Sequence, residues 1–223
     1  ENTNAGAVIL SKSDDLSTLK NKLFSDQVHL AYAKCSQLFT TMSVDLSKQD
    51  NKSIIHEGAI ISPNCNIETN VKIEDGVIIK PGVFIGSGST IKKNTLIHSN
   101  VSIYSNSVIG ENCILHSGAV IGSDGLGFAK NGNKWEKIIH YGYVEIGNSV
   151  EVGAGCTIDK ASSGKTVIND GVKLDNQIHL AHNCNLGENT IVGANTSIAG
   201  SVKIGKNCMI GGLCGIVDNI EIA

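Results

Sequence analysis

Between Ile73 and Ile91 the chain reads Ile73-Glu74-Asp75-Gly76-Val77-Ile78-Ile79-Lys80-Pro81-Gly82-Val83-Phe84-Ile85-Gly86-Ser87-Gly88-Ser89-Thr90-Ile91, with Ile73, Ile79, Ile85 and Ile91 six positions apart. The spacing runs back through Ile67 and Ile61 to Ile55, and forward through Ile97, Ile103, Ile109 and Leu115 to Ile121. It returns at Ile146, Val152 and Ile158, and again from Ile168 through Leu174, Leu180, Leu186, Val192, Ile198, Ile204, Ile210 and Ile216 to Ile222. These are 25 positions without a polar exception, although Ile, Leu and Val supply only 60 of the 223 residues. A period of six is a multiple of the strand period of two and fits neither the 3.6 of a helix nor a heptad, so the repeat predicts a β solenoid.

A second slot lies four residues after each aliphatic and holds small or apolar side chains, among them Val71, Val77, Val83, Ser89, Thr95, Val101, Cys113 and Ala119. Such residues fill a narrow interior. The position just after the aliphatic is Gly nine times (Gly86, Gly110, Gly122, Gly147, Gly153, Gly187, Gly193, Gly205 and Gly211), which suits tight bends with little room for a Cβ. This pattern resembles the hexapeptide-repeat family, in which three hexads make one coil of a left-handed parallel β-helix. The resemblance covers roughly three quarters of the chain and implies about 8 coils, roughly 40 Å tall at the usual strand spacing.

Outside the repeat the sequence is less regular. The formal net charge of −3 gives no electrostatic footprint for nucleic acid, and no run of apolar residues is long enough to cross a membrane. Residues 1–52 do not follow the hexad. Ala7-Val8-Ile9-Leu10 reads as a short strand, and Val28, Ala31, Tyr32, Cys35, Leu38, Phe39 and Met42 recur at helical spacing, with Ser25 or Asp26 as a cap. This segment is expected to be the remnant of an α/β domain, joined through Ser47–Ser53 to the solenoid at 53–223, in a chain truncated at both ends.

Two interruptions break the period. One, about 123–139, begins Gly122-Ser123-Asp124-Gly125-Leu126-Gly127-Phe128-Ala129 and carries the single Trp135, and a long loop on a rigid scaffold is a place for function. The other, Ala161-Ser162-Ser163-Gly164, offers no evident chemistry.

Six of seven cysteines (Cys65, Cys113, Cys156, Cys184, Cys208 and Cys214) occupy the small inward slot. They read as core fillers and as reduced thiols of a cytoplasmic protein, and no metal site is expected. Of the histidines, His29, His56, His98, His116 and His140 are scattered, with solvent or loop roles as the default. His179 and His182 are three apart, an odd spacing that sends strand side chains to opposite faces, which weakens a zinc reading of the trimeric β-helix carbonic anhydrase kind. His182 stands out because the residue stacked on it one coil later is Gly200. A base then lies beneath a position that has no side chain and whose N–H is free to donate. Asp175, one hexad earlier, is the carboxylate proposed to fix the imidazole.

Gly122–Ala129, Thr157-Ile158-Asp159, Asp175-Asn176-Gln177, Leu180-Ala181-His182-Asn183, Ile198-Ala199-Gly200-Ser201 and Met209-Ile210-Gly211-Gly212 together resemble the UDP-3-O-acylglucosamine N-acyltransferase family. The resemblance implies a homotrimer in the cytoplasm that performs the N-acylation step of lipid A biosynthesis. A 3-hydroxyacyl group would pass from acyl carrier protein to the amine of a UDP-sugar lipid precursor. The enzyme itself would need no cofactor, because phosphopantetheine arrives on the carrier protein. It also implies His182 as general base, Asp175 as its orienting carboxylate, the Gly200 N–H as oxyanion donor, and Asn176, Phe128 and Asn219 as substrate-binding candidates. Asn219 stands where the family often has a second histidine, and the family's uracil-stacking segment has no match. Two other classes fit the repeat: a transferase for another nucleotide sugar with a CoA donor, and a non-catalytic structural β-helix.

Overall fold

The computed structural model describes residues 6–14, 21–39 and 52–223. The chain divides into two compact units. One comprises Glu1–Val44 with Leu126–Ile139, and the other comprises Asp45–Gly125 with His140–Ala223. Of the first interruption, expected as a loop of the solenoid, the stretch Leu126–Ile139 thus belongs by its packing to the N-terminal unit. Met42 and the linker up to residue 51 lie outside the described residues.

The larger unit is a left-handed parallel β-helix with faces of eight, eight and nine strands. Most strands are two residues long and end on the hexad aliphatic, as in Ile78–Ile79 and Leu96–Ile97. Pairing is parallel and in register by coil: Ile79 pairs with Ile97, and Ile97 with Leu115, each eighteen residues on. We call the face through Ile79, Leu115 and Leu174 the first. The face through Ile121, Ile158, Leu180 and Ile198 is the second, and that through Ile109, Ile146 and Ile168 the third. Ile73 to Ile121 and Ile146 to Ile204 form one continuous buried column system with the inward slot. Each fully buried Ile or Leu contributes about 1.5–3 kcal/mol relative to exposure, so the period fixes the fold energetically.

Corners are turned by a residue three after the aliphatic, in left-handed backbone: Asn64 (φ 65°), Asn94 (φ 57°), Asn183 (φ 61°), Asn189 (φ 57°) and Gly82 (φ 76°) are examples. An ordinary L-residue loses about 1–2 kcal/mol there, and Asn and Gly lose least. The glycines just after the aliphatic serve a different need. Apart from Gly122 they have no positive φ, but a Cβ on Gly187 would lie 2.4 Å from the carbonyl carbon and oxygen of Gly205 in the next coil. Close backbone approach, rather than the bend itself, excludes a side chain there.

Several polar residues in the inward slot solve their burial the same way, by donating to a carbonyl of the next coil. Thr95 Oγ1 donates to Gly110 (2.8 Å), Thr190 Oγ1 to Gly205 (2.8 Å), Thr196 Oγ1 to Gly211 (2.9 Å) and Cys184 Sγ to Ala199 (3.0 Å). Cys113, Cys156 and Cys184 are buried and Cys65, Cys208 and Cys214 half-buried, all as free thiols. Burial pushes the Cys113 and Cys156 thiols up, and that of Cys184 up to about 11.

In the smaller unit Val8–Leu10 pairs in parallel with Lys22–Phe24, and one helix spans Val28–Leu38. The hairpin strands Phe128–Asn131 and Lys134–Lys137 turn through Gly132 (φ 59°). The helix starts at Gln27 with no side-chain cap, and Ser25 Oγ only accepts from the Gln27 N–H. Its buried face differs from the expected one: Ala33 and Ser36 are buried, whereas Tyr32, Leu38 and Phe39 are exposed. Ala33 packs with Leu30 against Ala129 and Ile138 of the hairpin, and Ser36 Oγ accepts from the Ile139 N–H at 3.0 Å. The hairpin selects this face, which the helical spacing of apolar residues by itself did not show. Among the described residues no helix is long and apolar enough to cross a membrane.

Candidate functional site

The corner between the second and third faces gathers the chemistry. Leu180 points inward as the hexad requires, and the chain then turns at His182 and Asn183, so the corner carries the imidazole outward, half-buried. Strand parity alone would have turned His182 into the prism. Directly on it lies Gly200 of the next coil, tied by the Ser201 N–H to the His182 carbonyl (2.9 Å). A Cβ on Gly200 would stand 2.8 Å from His182 Cε1 and 2.9 Å from Nε2, so only glycine leaves the ring where it is. The Gly200 carbonyl accepts from Asn219 (3.0 Å), while its N–H has no acceptor among the described residues.

On the other side of the ring Gly125 brings its backbone close. A Cβ there would meet His182 Cδ2 at 3.0 Å, Asp159 Oδ2 at 3.2 Å and His140 Nε2 at 3.4 Å. His140, expected to be a solvent or loop residue, is 4% exposed and packs edge-on to His182 with ring centroids 5.6 Å apart. Gly125, just after the strand that ends at Asp124, and His140, just after the hairpin segment, both border this corner.

Asp159 is the carboxylate of the site. It is 6% exposed, accepts from Ser123 Oγ (2.9 Å), and lies 3.8 Å from His179 Nε2. Burial raises its pKa, opposed by the Ser123 hydroxyl and by His179, His182 and His140. His179 Nδ1 faces Thr157 Oγ1 at 2.8 Å, and Lys160 pairs with Asp124 at 2.8 Å. Among the described residues no three His, Cys, Asp or Glu side chains are grouped to hold a metal ion.

Within one chain the structure does not bring Asp175 to His182. Asp175 follows Leu174 on the first face, so it sits at the preceding corner. One hexad is a whole side of the triangle, up to roughly 20 Å of extended chain. Its Oδ1 accepts from the Asn176 N–H (2.7 Å) and Nδ2 (3.1 Å), and it lines a shallow groove with His116, Glu151, Lys173 and Asn176. Asn176 spends its Oδ1 on the Ala154 N–H (2.8 Å). Asn219 stands one position outside the His182 column, as the corner residue of the coil beyond Gly200 in line with Asn183 and Ser201, with its Nδ2 on Asp218 (2.8 Å). Phe128 belongs to the smaller unit, beside Leu126 and Trp135 in an apolar hollow, with Lys137 Nζ 5.3 Å from its ring centre.

His182 Nδ1 meets Asn183 Oδ1 at 3.1 Å. Asn183 in turn takes the N–H (3.0 Å) and Oγ (3.1 Å) of Ser162 and gives its Nδ2 to the Ser163 carbonyl (2.9 Å). The second interruption, which offered no chemistry as sequence, is therefore wired to the imidazole. The available signal was positional: both breaks in the six-residue period fall beside the strands of this one corner.

Residues 52–87 and 88–123 match the bacterial transferase hexapeptide (six repeats) family. Two curated relatives, the UDP-3-O-acylglucosamine N-acyltransferases of Dechloromonas aromatica (strain RCB) and Hahella chejuensis (strain KCTC 2396), are each 60% identical over 68 residues. That stretch is 30% of this chain and 20% of either relative. Among solved structures, the hexapeptide solenoid is similar to the UDP-N-acetylglucosamine acyltransferase of Bacteroides fragilis 9343. Its TM-score is 0.58 at 27% identity, over 75% of this chain and 62% of that one. The Francisella novicida UDP-N-acetylglucosamine acyltransferase gives a TM-score of 0.58 at 25% identity, over 73% and 55%.

Proposed function

We propose that this chain is the β-helix part of a UDP-3-O-acylglucosamine N-acyltransferase of lipid A biosynthesis. The observation that carries the reading is the stack of Gly200 on His182, in a chain whose curated relatives bear that name. His182 Nε2 takes a proton from the glucosamine amine as it attacks the thioester carbonyl, and the Gly200 N–H donates to the oxyanion that forms. Collapse of the tetrahedral intermediate expels the thiolate, which regains a proton from the imidazolium. The Asp159 carboxylate beside His182 favours that imidazolium, the part the family resemblance implies for Asp175.

The donor in this reading is a 3-hydroxyacyl group on acyl carrier protein, whose phosphopantetheine supplies the thiol, and the protein works in the cytoplasm. A corner of a convex prism encloses little by itself, so a homotrimer, with a neighbouring subunit closing a cleft, would supply the enclosure a substrate needs. Asn219, whose N–H donates to the Gly200 carbonyl (3.0 Å), is the substrate-binding candidate beside this corner.

His182→Ala is the test. General-base catalysis is worth about 10² to 10⁴ in rate, so transfer from hydroxyacyl carrier protein falls by that factor while the thermal midpoint holds. Retention of more than about a tenth of the rate removes His182 as base. The likeness to UDP-N-acetylglucosamine acyltransferases supports a second reading, and the same assay with a hydroxyl acceptor and with CoA thioesters separates the two.

A further inference from the structure

We propose that Asn183 is a positioning residue that holds His182 in the tautomer protonated on Nδ1, and that the interruption Ala161-Ser162-Ser163-Gly164 is the scaffold that aims it. At ordinary corners the Asn amide lies against the corner residue of the preceding coil. Asn94 Oδ1, for instance, is 2.3 Å from where a Cβ of Gly76 would be, and Asn189 Oδ1 2.2 Å from that of Gly171. At Asn183 the preceding coil is interrupted, and the amide is received by Ser162 and Ser163 instead.

This reception fixes which way the amide faces. A backbone N–H only donates and a backbone carbonyl only accepts, so the Ser162 N–H marks Oδ1 and the Ser163 carbonyl marks Nδ2, without reference to the histidine. His182 Nδ1 lies 3.1 Å from that same Oδ1. In a neutral imidazole Nδ1 must then carry the hydrogen, and the lone pair is left on Nε2, the nitrogen that faces the Gly200 position. The amide is thus a fixed acceptor next to the base, and it uses a neutral oxygen where a carboxylate would add charge.

The effect on rate rests on the reading of His182 as the base, but the tautomer is observable without turnover. Long-range proton–nitrogen spectra of protein labelled with 15N-histidine, assigned against His182→Ala, give the protonated nitrogen directly. The wild type is expected as the Nδ1–H form. Asn183→Gly keeps the left-handed corner (φ 61° in the parent) and removes only the amide, so a mixture containing the Nε2–H form appears. In that variant kcat/KM falls by on the order of tenfold, less than the ~10⁴ lost when a base is held in the wrong tautomer. Asn183→Asp keeps the acceptor oxygen and restores the Nδ1–H form. An Nε2–H ring in the wild type, or an unchanged Nδ1–H ring in Asn183→Gly, overturns the proposal. If Asn183→Gly does not fold, the wild-type spectrum and Asn183→Asp decide. If the spectra behave as expected while His182→Ala keeps its rate, the clamp stands and the base assignment fails.

Discussion

Replacing Gly200 by alanine should uncouple the site from the fold. The added Cβ would sit 2.8 Å from His182 Cε1, 2.9 Å from Nε2 and 3.3 Å from Nδ1. Carbon contacts settle near 3.5–4.0 Å, so about 0.7 Å or more of overlap has to be relieved. The backbone cannot give way cheaply. Ala199 donates to Ile216 (2.9 Å), Ser201 to His182 (2.9 Å), and Asn219 to the Gly200 carbonyl (3.0 Å), which holds the residue between two coils. Gly200 has no positive φ, so alanine suits its conformation. The imidazole is the part that moves, by roughly 0.7–1 Å, and a misplacement of 1 Å in a catalytic group can cost about 10² in rate. The expected result is a 10- to 100-fold fall in kcat/KM for acyl transfer, with a thermal midpoint within a few degrees of the parent. A variant that transfers at the parental rate would show that His182 does not act from this position. A large loss of stability would show that the prism, not the ring, absorbed the methyl group.

Two further outcomes follow from the packing. Gly187→Ala places a Cβ 2.4 Å from backbone atoms of Gly205, with no flexible side chain to yield, and should cost about 1–3 kcal/mol in denaturant titration; parental stability there would mean the coils slide freely. Cys184, with its thiol pushed up to about 11, should label slowly with maleimide at neutral pH, its rate rising about tenfold per pH unit up to that value. Because burial favours the neutral thiol, the associated stability is complete below the usual 9.0 and is lost as pH rises through the folded value. Fast labelling at pH 7 in the folded protein would place the sulfur outside the prism.

The hexad aliphatics by themselves determined the solenoid and the placing of inward residues from Ile73 to Ile204, because burial of one side chain in six leaves a strongly periodic trace. The stacking of Gly200 on His182 was legible for the same reason, since coil neighbours in a parallel solenoid are a fixed number of residues apart. The corner glycines were only half legible: composition marked the lack of room, while the left-handed residue two positions further on, mostly Asn, turns the chain. What only the tertiary structure decided is what the breaks in the period bring together. Asp175 is expected to reach His182 from one hexad earlier, around the corner of the prism, but within one chain those seven residues lead along a full side of the triangle. Asp159 and His140 reach the imidazole because their coils stack on it, and Asn183 is aimed by an insertion outside the repeat. Periodicity reports which side of the wall a residue is on. Where an insertion folds back, and which carboxylate it leaves beside a base, depends on contacts between coils that no local pattern records.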